Sequence, residues 1–280
     1  MIFFKYQGTG NDFIIIDNRN LVFPKSNLQL IQKLCNRRFG IGADGLILLE
    51  NENGVDFKMV YYNSDGNQSS MCGNGGRCLV AFAKHLNIIS SEATFTAADG
   101  FHHASVLQNG IVSLQMKDVK KVNVQPDYTF LDTGSPHHVQ RVDNLESVNV
   151  KELGSAIRYS KLYGAAGSNI NFVTQIAPNH FAIRTYERGV EDETLSCGTG
   201  ATATAIAMYV NNRADAFEGK LVAKPDTSEK ASKNCKIVQN IEVKGGSLQV
   251  TFTENNGIFS DIFLSGPAEF VFEGTIDLTI

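Results

Sequence analysis

Two short phrases in this chain place a sulfur in the same local setting. Cys72-Gly73-Asn74-Gly75 leads into the run CLVAFAKHL, and Cys197-Gly198-Thr199-Gly200 leads into ATATAIAMYV. The two cysteines lie a little under half of the 280-residue chain apart. Each follows a strand-like run and a polar turn, and each stands where an apolar helix begins. A helix start carries unpaired N–H groups and about half a positive charge, which favours a thiolate over its thiol. Glycines at the next and third positions let an anion such as an amino-acid carboxylate approach that backbone. One thiolate and one thiol on opposite faces of a carbon can invert it, one taking the α-proton and the other giving one back. Such a pair titrates as a unit, and its chemistry asks for no metal and no cofactor.

The elements that must position these sulfurs follow from periodicity. IFFKYQ and DFIIID read as strands around the turn GTGN. Ser26 is expected to cap a helix whose apolar face is Leu28, Ile31, Leu34 and Cys35. That helix is expected to end in Asn36-Arg37-Arg38 and to be stopped by Gly40. LILLE and DFKMVYY precede the first cysteine helix, and short strands run from Ala93 to Val124. HHVQRV, NINFVTQI and HFAIRTYE precede the second, and VTFTE, IFLSG and EFVFEG follow it. Both cysteine helices are apolar almost all round, as buried central helices are. The pattern predicts an α/β (α+β) fold of two similar halves, each a curved, mostly antiparallel sheet wrapped around a central helix, joined near Lys117–Val122. Pro225–Asn234 is polar and reads as a surface loop.

Composition narrows the function classes. Hydrophobic residues make up 42% and charged residues 19%, as in ordinary globular chains. The net charge of −4 argues against a nucleic-acid binder. No apolar run approaches the roughly 20 residues of a membrane span, and the N-terminus has no signal-peptide pattern. The five cysteines show no disulfide-framework spacing, which points to a reduced, cytoplasmic protein. Five residues separate Cys72 from Cys78 with no second close pair, so zinc is a poor reading. Cys35, Cys78 and Cys235 lack the glycine setting and read as structural. Gly40-Ile-Gly-Ala-Asp-Gly45 matches a dinucleotide fingerprint formally, but a helix precedes it and a strand follows, so it reads as a tight turn.

Several polar signatures sit at strand ends: Asn11-Asp12, Asn63 in YNSDG, Asn169 in NINF, and Glu187-Arg188 in YERG. Each alone reads as a turn, a strand cap or a solvated ion pair, with Asp44 and Asp65 as turn residues. His137 in GSPHHV reads alone as a structural histidine. Taken in order, GTGNDF, GIGADG, YNSDG, MCGNGGRC, GSPHHV, NINFV, YERG and SCGTGAT resemble the diaminopimelate epimerase family nearly end to end. The resemblance implies interconversion of LL- and meso-diaminopimelate in lysine and peptidoglycan-precursor synthesis, with Cys72 and Cys197 as the acid/base pair. It implies substrate contacts from Asn11, Asn63, Gly73, Asn74, Asn169, Glu187, Arg188, Gly198 and Thr199, a supporting role for His137, and a homodimer. The C-terminal strand is expected to return to the first half, giving 1–118 with 265–280 and 119–264, with the active site in the cleft between them. Many members have Asn where this chain has Ser135, and some have Gln where it has Gly45. The alternatives are a proline or hydroxyproline racemase of the same fold, and a non-catalytic fold relative.

Overall fold

The computed structural model describes residues 1–69, 71–217 and 235–277. It divides into two compact units, Met1–Gln115 with Ser265–Ile280, and Met116–Leu264. The segment Pro225–Asn234, expected as a surface loop, lies outside the described residues.

The first unit opens with β1 (Ile2–Gly8) and β2 (Asn11–Asp17), an antiparallel hairpin that turns through Thr9 and Gly10, both at positive φ. Helix α1 (Leu28–Cys35) then carries the chain across to β3 (Gly45–Glu50), which pairs parallel to β2. A parallel neighbour needs such a crossover, whereas β4 (Phe57–Asn63) returns antiparallel through a short turn. Helix α2 (Gly73–His85) is the second crossover, leading to β5 (Glu92–Ala97) parallel to β4. β6 (Gly100–Val106) and β7 (Val112–Gln115) follow antiparallel.

The second unit repeats this ladder. β8 (Val122–Val124), β9 (Thr129–Asp132) and β10 (Pro136–Arg141) run antiparallel. Helix α3 (Val150–Arg158) crosses to β11 (Asn169–Ala177), parallel to β10, and β12 (His180–Glu187) returns antiparallel, extended by the short β13 (Asp192–Thr194). Helix α4 (Gly198–Phe217) crosses to β14 (Ile237–Val243), parallel to β12, and β15 (Gly246–Asn255) returns antiparallel before β16 (Ile258–Gly266). β17 (Glu269–Thr275) then pairs antiparallel with β1, back in the first unit. Register makes the repeat exact in position. Phe13 faces Gly45 on the parallel strand as His137 faces Asn169. By the same alignment Asn11 matches Ser135, Ile47 matches Asn171, and Asn63 matches Glu187.

The central strands β2 and β3 are buried on both faces, which explains their continuous apolar runs, and β11 is buried from Asn169 to Val173. Ile14, Ile16, Leu46 and Leu48 pack under α1 with Leu30, Ile31 and Leu34. The opposite face meets α2, which touches β1, β2, β3, β6, β7 and β17. In the second unit Ile170 and Phe172 pack near α3, while Val173, Phe181 and Ile183 pack on α4. The cysteine helices are therefore enclosed by strands, and Cys78 to Val80 and Ala201 to Met208 are fully buried.

Two local expectations are corrected. The cap of α1 is Asn27, not Ser26: its Oδ1 accepts from Leu30 N at 3.0 Å, because the helix begins at Leu28. The helix ends at Asn36, and Gly40 packs on the carbonyls of Lys33 and Leu34, where a Cβ has no room. Arg37 serves no helix end. It reaches Asp12 and Asp44 instead.

Candidate active site

Cys72 is the N-cap of α2, in extended conformation, and its carbonyl accepts from Gly76 N at 2.7 Å. The sulfur therefore sits at the positive end of the helix, half-buried. Its neighbour is Asn11, the first residue of β2, whose Oδ1 lies 3.7 Å from Cys72 Sγ. Asn11 is held by a charged lattice. Its Nδ2 donates to Asp44 Oδ2 at 2.5 Å, and Arg37 bridges Asp44 to Asp12. Lys5 adds an ion pair to Asp12 at 2.8 Å and donates to the Gly42 carbonyl. Burial alone would raise the Asp12 carboxyl, but hydrogen bonds from Arg37 and Lys5 outweigh it and pull it down to about 2. Asp44 is thus more than a turn residue. It decides which way the Asn11 amide points.

Beneath Cys72 lies Arg77, fully buried. Its Nη2 donates to Asn74 Oδ1 at 3.0 Å, and Asn74 Nδ2 donates to Asn11 Oδ1 at 3.3 Å. Among the described residues no carboxylate pairs with it, and its Nε finds no hydrogen-bond partner. Cys78, beside it, is driven up to about 12 by burial and stays a thiol. Asn63 ends β4 opposite Gly45, exposed and outside this network. A Cβ at Gly45 would meet Tyr61 Cε2 at 2.5 Å and the Tyr62 carbonyl at 2.6 Å, so the Tyr61 ring occupies the space a side chain at 45 would take.

The second cysteine is built the same way on different neighbours. The Cys197 carbonyl accepts from Ala201 N at 2.9 Å, and its sulfur lies 3.5 Å from Thr199 Oγ1. Thr199 Oγ1 is 3.3 Å from Ser135 Oγ, which is 3.0 Å from His137 Nε2. His137 is fully buried, and burial first, then the charge of Arg188, depresses it to about 3. It is a neutral imidazole throughout the working range. Asn169 Nδ2 donates to Ser135 Oγ at 3.1 Å, while its Oδ1 accepts from Arg188 N at 2.9 Å. Arg188 Nη1 donates to the Ala166 carbonyl, and Glu187 Oε2 accepts from Thr194 Oγ1. Ser135, matched to Asn11, meets its cysteine through Thr199.

The third-position glycines do a different job from the one spacing suggests. A Cβ at Gly75 would lie 3.0 Å from Ile47 Cδ1, and one at Gly200 would lie 2.5 Å from Asn171 Oδ1. Ile47 and Asn171 occupy matched places on β3 and β11. These glycines let each helix press against its strand. Among the described residues no three His, Cys, Asp or Glu side chains converge as a metal-ligand set.

The family model described as diaminopimelate epimerase matches residues 3–125 and 129–271. The chain belongs to the diaminopimelate epimerase family. A diaminopimelate epimerase from Flavobacterium psychrophilum is 64% identical over 276 residues, covering 99% of this chain and 100% of that one. One from Chlorobaculum tepidum is 39% identical over 97% of this chain and 99% of its own. Among solved structures, a phenazine biosynthesis protein of the PhzF family from Bacillus anthracis superposes with a TM-score of 0.70 at 14% identity, covering 98% of each chain. A probable proline racemase from Agrobacterium radiobacter gives 0.63 at 14% identity, covering 99% of this chain and 93% of its own. At such identities these two share the fold.

Within this epimerase-family fold, hydrogen bonds join Cys72, Asn11 and Asn74 in one unit, and Cys197, Thr199, His137 and Asn169 in the other. Sequence reading missed Asp44, Arg37, Arg77, Tyr61, Ser135's bonding role and Asn171. Arg77 alone left a signal, a charged residue inside an otherwise apolar helix run.

Proposed function

We propose that this chain epimerises diaminopimelate between its LL and meso forms, with Cys72 and Cys197 as the proton carriers. The observation that carries the reading is the 64% identity, over essentially the whole chain, to a protein of that activity. One sulfur, as thiolate, takes the α-proton. The other, as thiol, delivers a proton to the opposite face, and the reverse reaction exchanges their roles. The two sulfurs balance the protons between them. The helix starts at Gly73-Asn74 and Gly198-Thr199 supply N–H groups for the α-carboxylate and for charge that builds as the proton leaves. Asn11, Asn63, Asn169, Glu187 and Arg188 read the remaining polar groups, and His137 supports Ser135 without titrating.

The chain works in the reducing cytoplasm as a homodimer on this reading. Support for the dimer is β17, where Phe270, Val271 and Phe272 are exposed on a strand paired to β1. The first test is proton exchange: reduced protein, LL-diaminopimelate, deuterated water, no added cofactor. Deuterium at one α-carbon together with meso product is expected by NMR. Exchange with proline or hydroxyproline instead would overturn the substrate, and silence on every amino acid would leave a non-catalytic relative.

A further inference from the structure

The hydrogen bonds around Cys197 form a chain whose direction is decided at its far end. Asn171, fully buried on β11, donates from Nδ2 to the His138 carbonyl at 3.0 Å and to His137 Nδ1 at 3.1 Å, while its Oδ1 accepts from Thr185 Oγ1 at 3.0 Å. A carbonyl only accepts, so the amide is fixed and His137 Nδ1 must be an acceptor. The neutral ring then carries its proton on Nε2 and donates to Ser135 Oγ. Asn169 is fixed in the same manner, since its Nδ2 donates to the Pro136 carbonyl at 3.0 Å and its Oδ1 accepts from a backbone N–H. Ser135 Oγ therefore accepts twice, from His137 and from Asn169. Its single proton is left for Thr199 Oγ1. Thr199, having accepted, has its own proton to give, and Cys197 Sγ lies 3.5 Å away.

We infer that Asn171 is a positioning residue: through His137, Ser135 and Thr199 it directs a hydroxyl proton onto Cys197 and so favours the thiolate there. The inference rests on the two-thiol reading above for its catalytic meaning, though not for its geometry. A hydrogen bond donated to a charged form stabilises that form. The matched place in the first unit holds Ile47, which has no polar atom to orient a ring, and Cys72 meets the acceptor Oδ1 of Asn11. Among the described residues, the charged and titratable groups on the surrounding elements have partners of their own. Asp132 at the end of β9 accepts from Gly134 N, and His138 on β10 turns to Tyr163. Glu187 at the end of β12 accepts from Thr194, Asp192 pairs with Lys151, and Glu193 pairs with Arg184. Arg188 donates to the Ala166 carbonyl, and α4 carries no charged side chain before Arg213.

The test reads tautomer and thiol titration on the reduced, full chain. In the native protein, ¹⁵N NMR of His137 is expected to show the Nε2–H form. Asn171→Asp offers a carboxylate to Nδ1, which moves the ring proton from Nε2 to Nδ1 and reverses the chain. Alkylation of Cys197 by iodoacetamide, followed by peptide mass spectrometry across pH, should then shift its midpoint up by about one unit. Ser135→Ala cuts the chain without touching its buried end. It should raise the Cys197 midpoint while His137 keeps its Nε2 proton. A native His137 protonated on Nδ1, or an unmoved Cys197 midpoint in folded Ser135→Ala, overturns the inference even if Asn171→Asp does not fold. Absence of diaminopimelate exchange in the native protein would overturn the epimerase reading alone, because neither readout depends on turnover.

Discussion

Each sulfur is met by a different kind of atom. Asn11, turned by Asp44, shows Cys72 a carbonyl oxygen, whereas Thr199 shows Cys197 a hydroxyl. On the proposed mechanism neither sulfur is dispensable, because removal of one leaves one face of the carbon without a proton carrier. Cys72→Ala and Cys197→Ala should each lower epimerisation by about 10³-fold or more in a coupled assay. Turnover near the native rate in either variant would sink the two-base mechanism. His137 makes a second residue-scale prediction. Its folded state resists protonation down to about pH 3, while the unfolded chain takes a proton near 6.5. Between those values the unfolded state binds more protons, so stability is complete above about pH 6.5 and falls as pH drops toward 3. Urea midpoints should decline across that window, and His137→Gln should flatten the decline.

At the scale of elements, the helix that carries each cysteine packs closely on its sheet at the third-position glycine. Gly→Ala in a helix gains about 1 kcal/mol of propensity, so the contact decides the sign. At Gly75 the obstacle is the flexible end of Ile47, 3.0 Å away, and Gly75→Ala should leave stability within about 1 kcal/mol of native. At Gly200 it is the Asn171 amide oxygen at 2.5 Å, held by Thr185 and with no freedom to retreat. Gly200→Ala should cost about 1–3 kcal/mol net and reduce turnover as well. Equal denaturation midpoints for the two variants would contradict this account. The lattice of Lys5, Asp12, Arg37 and Asp44 works at the same scale: it ties β1, β2 and the turn before β3 into one support for Asn11.

For the whole molecule, the ladder of hairpins and helical crossovers appears twice, and it delivers each cysteine helix by the same step, from the second hairpin to the third. No helix among the described residues is long and apolar enough to cross a membrane. On the proposed homodimer, the exposed Phe270, Val271 and Phe272 of β17 are the surface that a second copy would cover. Light scattering on eluted protein should give twice the 30.6 kDa chain mass, and Val271→Lys should shift it toward one. A native monomer at micromolar concentration would overturn the dimer.

Much of this was determined by local sequence. Apolar runs and Gly-rich turns mark strands and helices because backbone propensity and burial act over a few residues, and the duplicated Cys-Gly-X-Gly marks both sulfurs because a helix start is a local event. The parallel pairings of β2 with β3 and β10 with β11 were not legible, since a crossover leaves no trace in the strands it joins. Nor was the cap at Asn27 legible with Ser26 beside it, because either side chain can cap and only the start of the helix chooses. Asp44 and Asn171 read as a turn residue and a strand residue, which each of them also is. Their bonds to Asn11 and His137 join residues more than thirty positions apart. Hydrogen-bond direction depends on what stands at the other end, and only the tertiary structure brings that end into place.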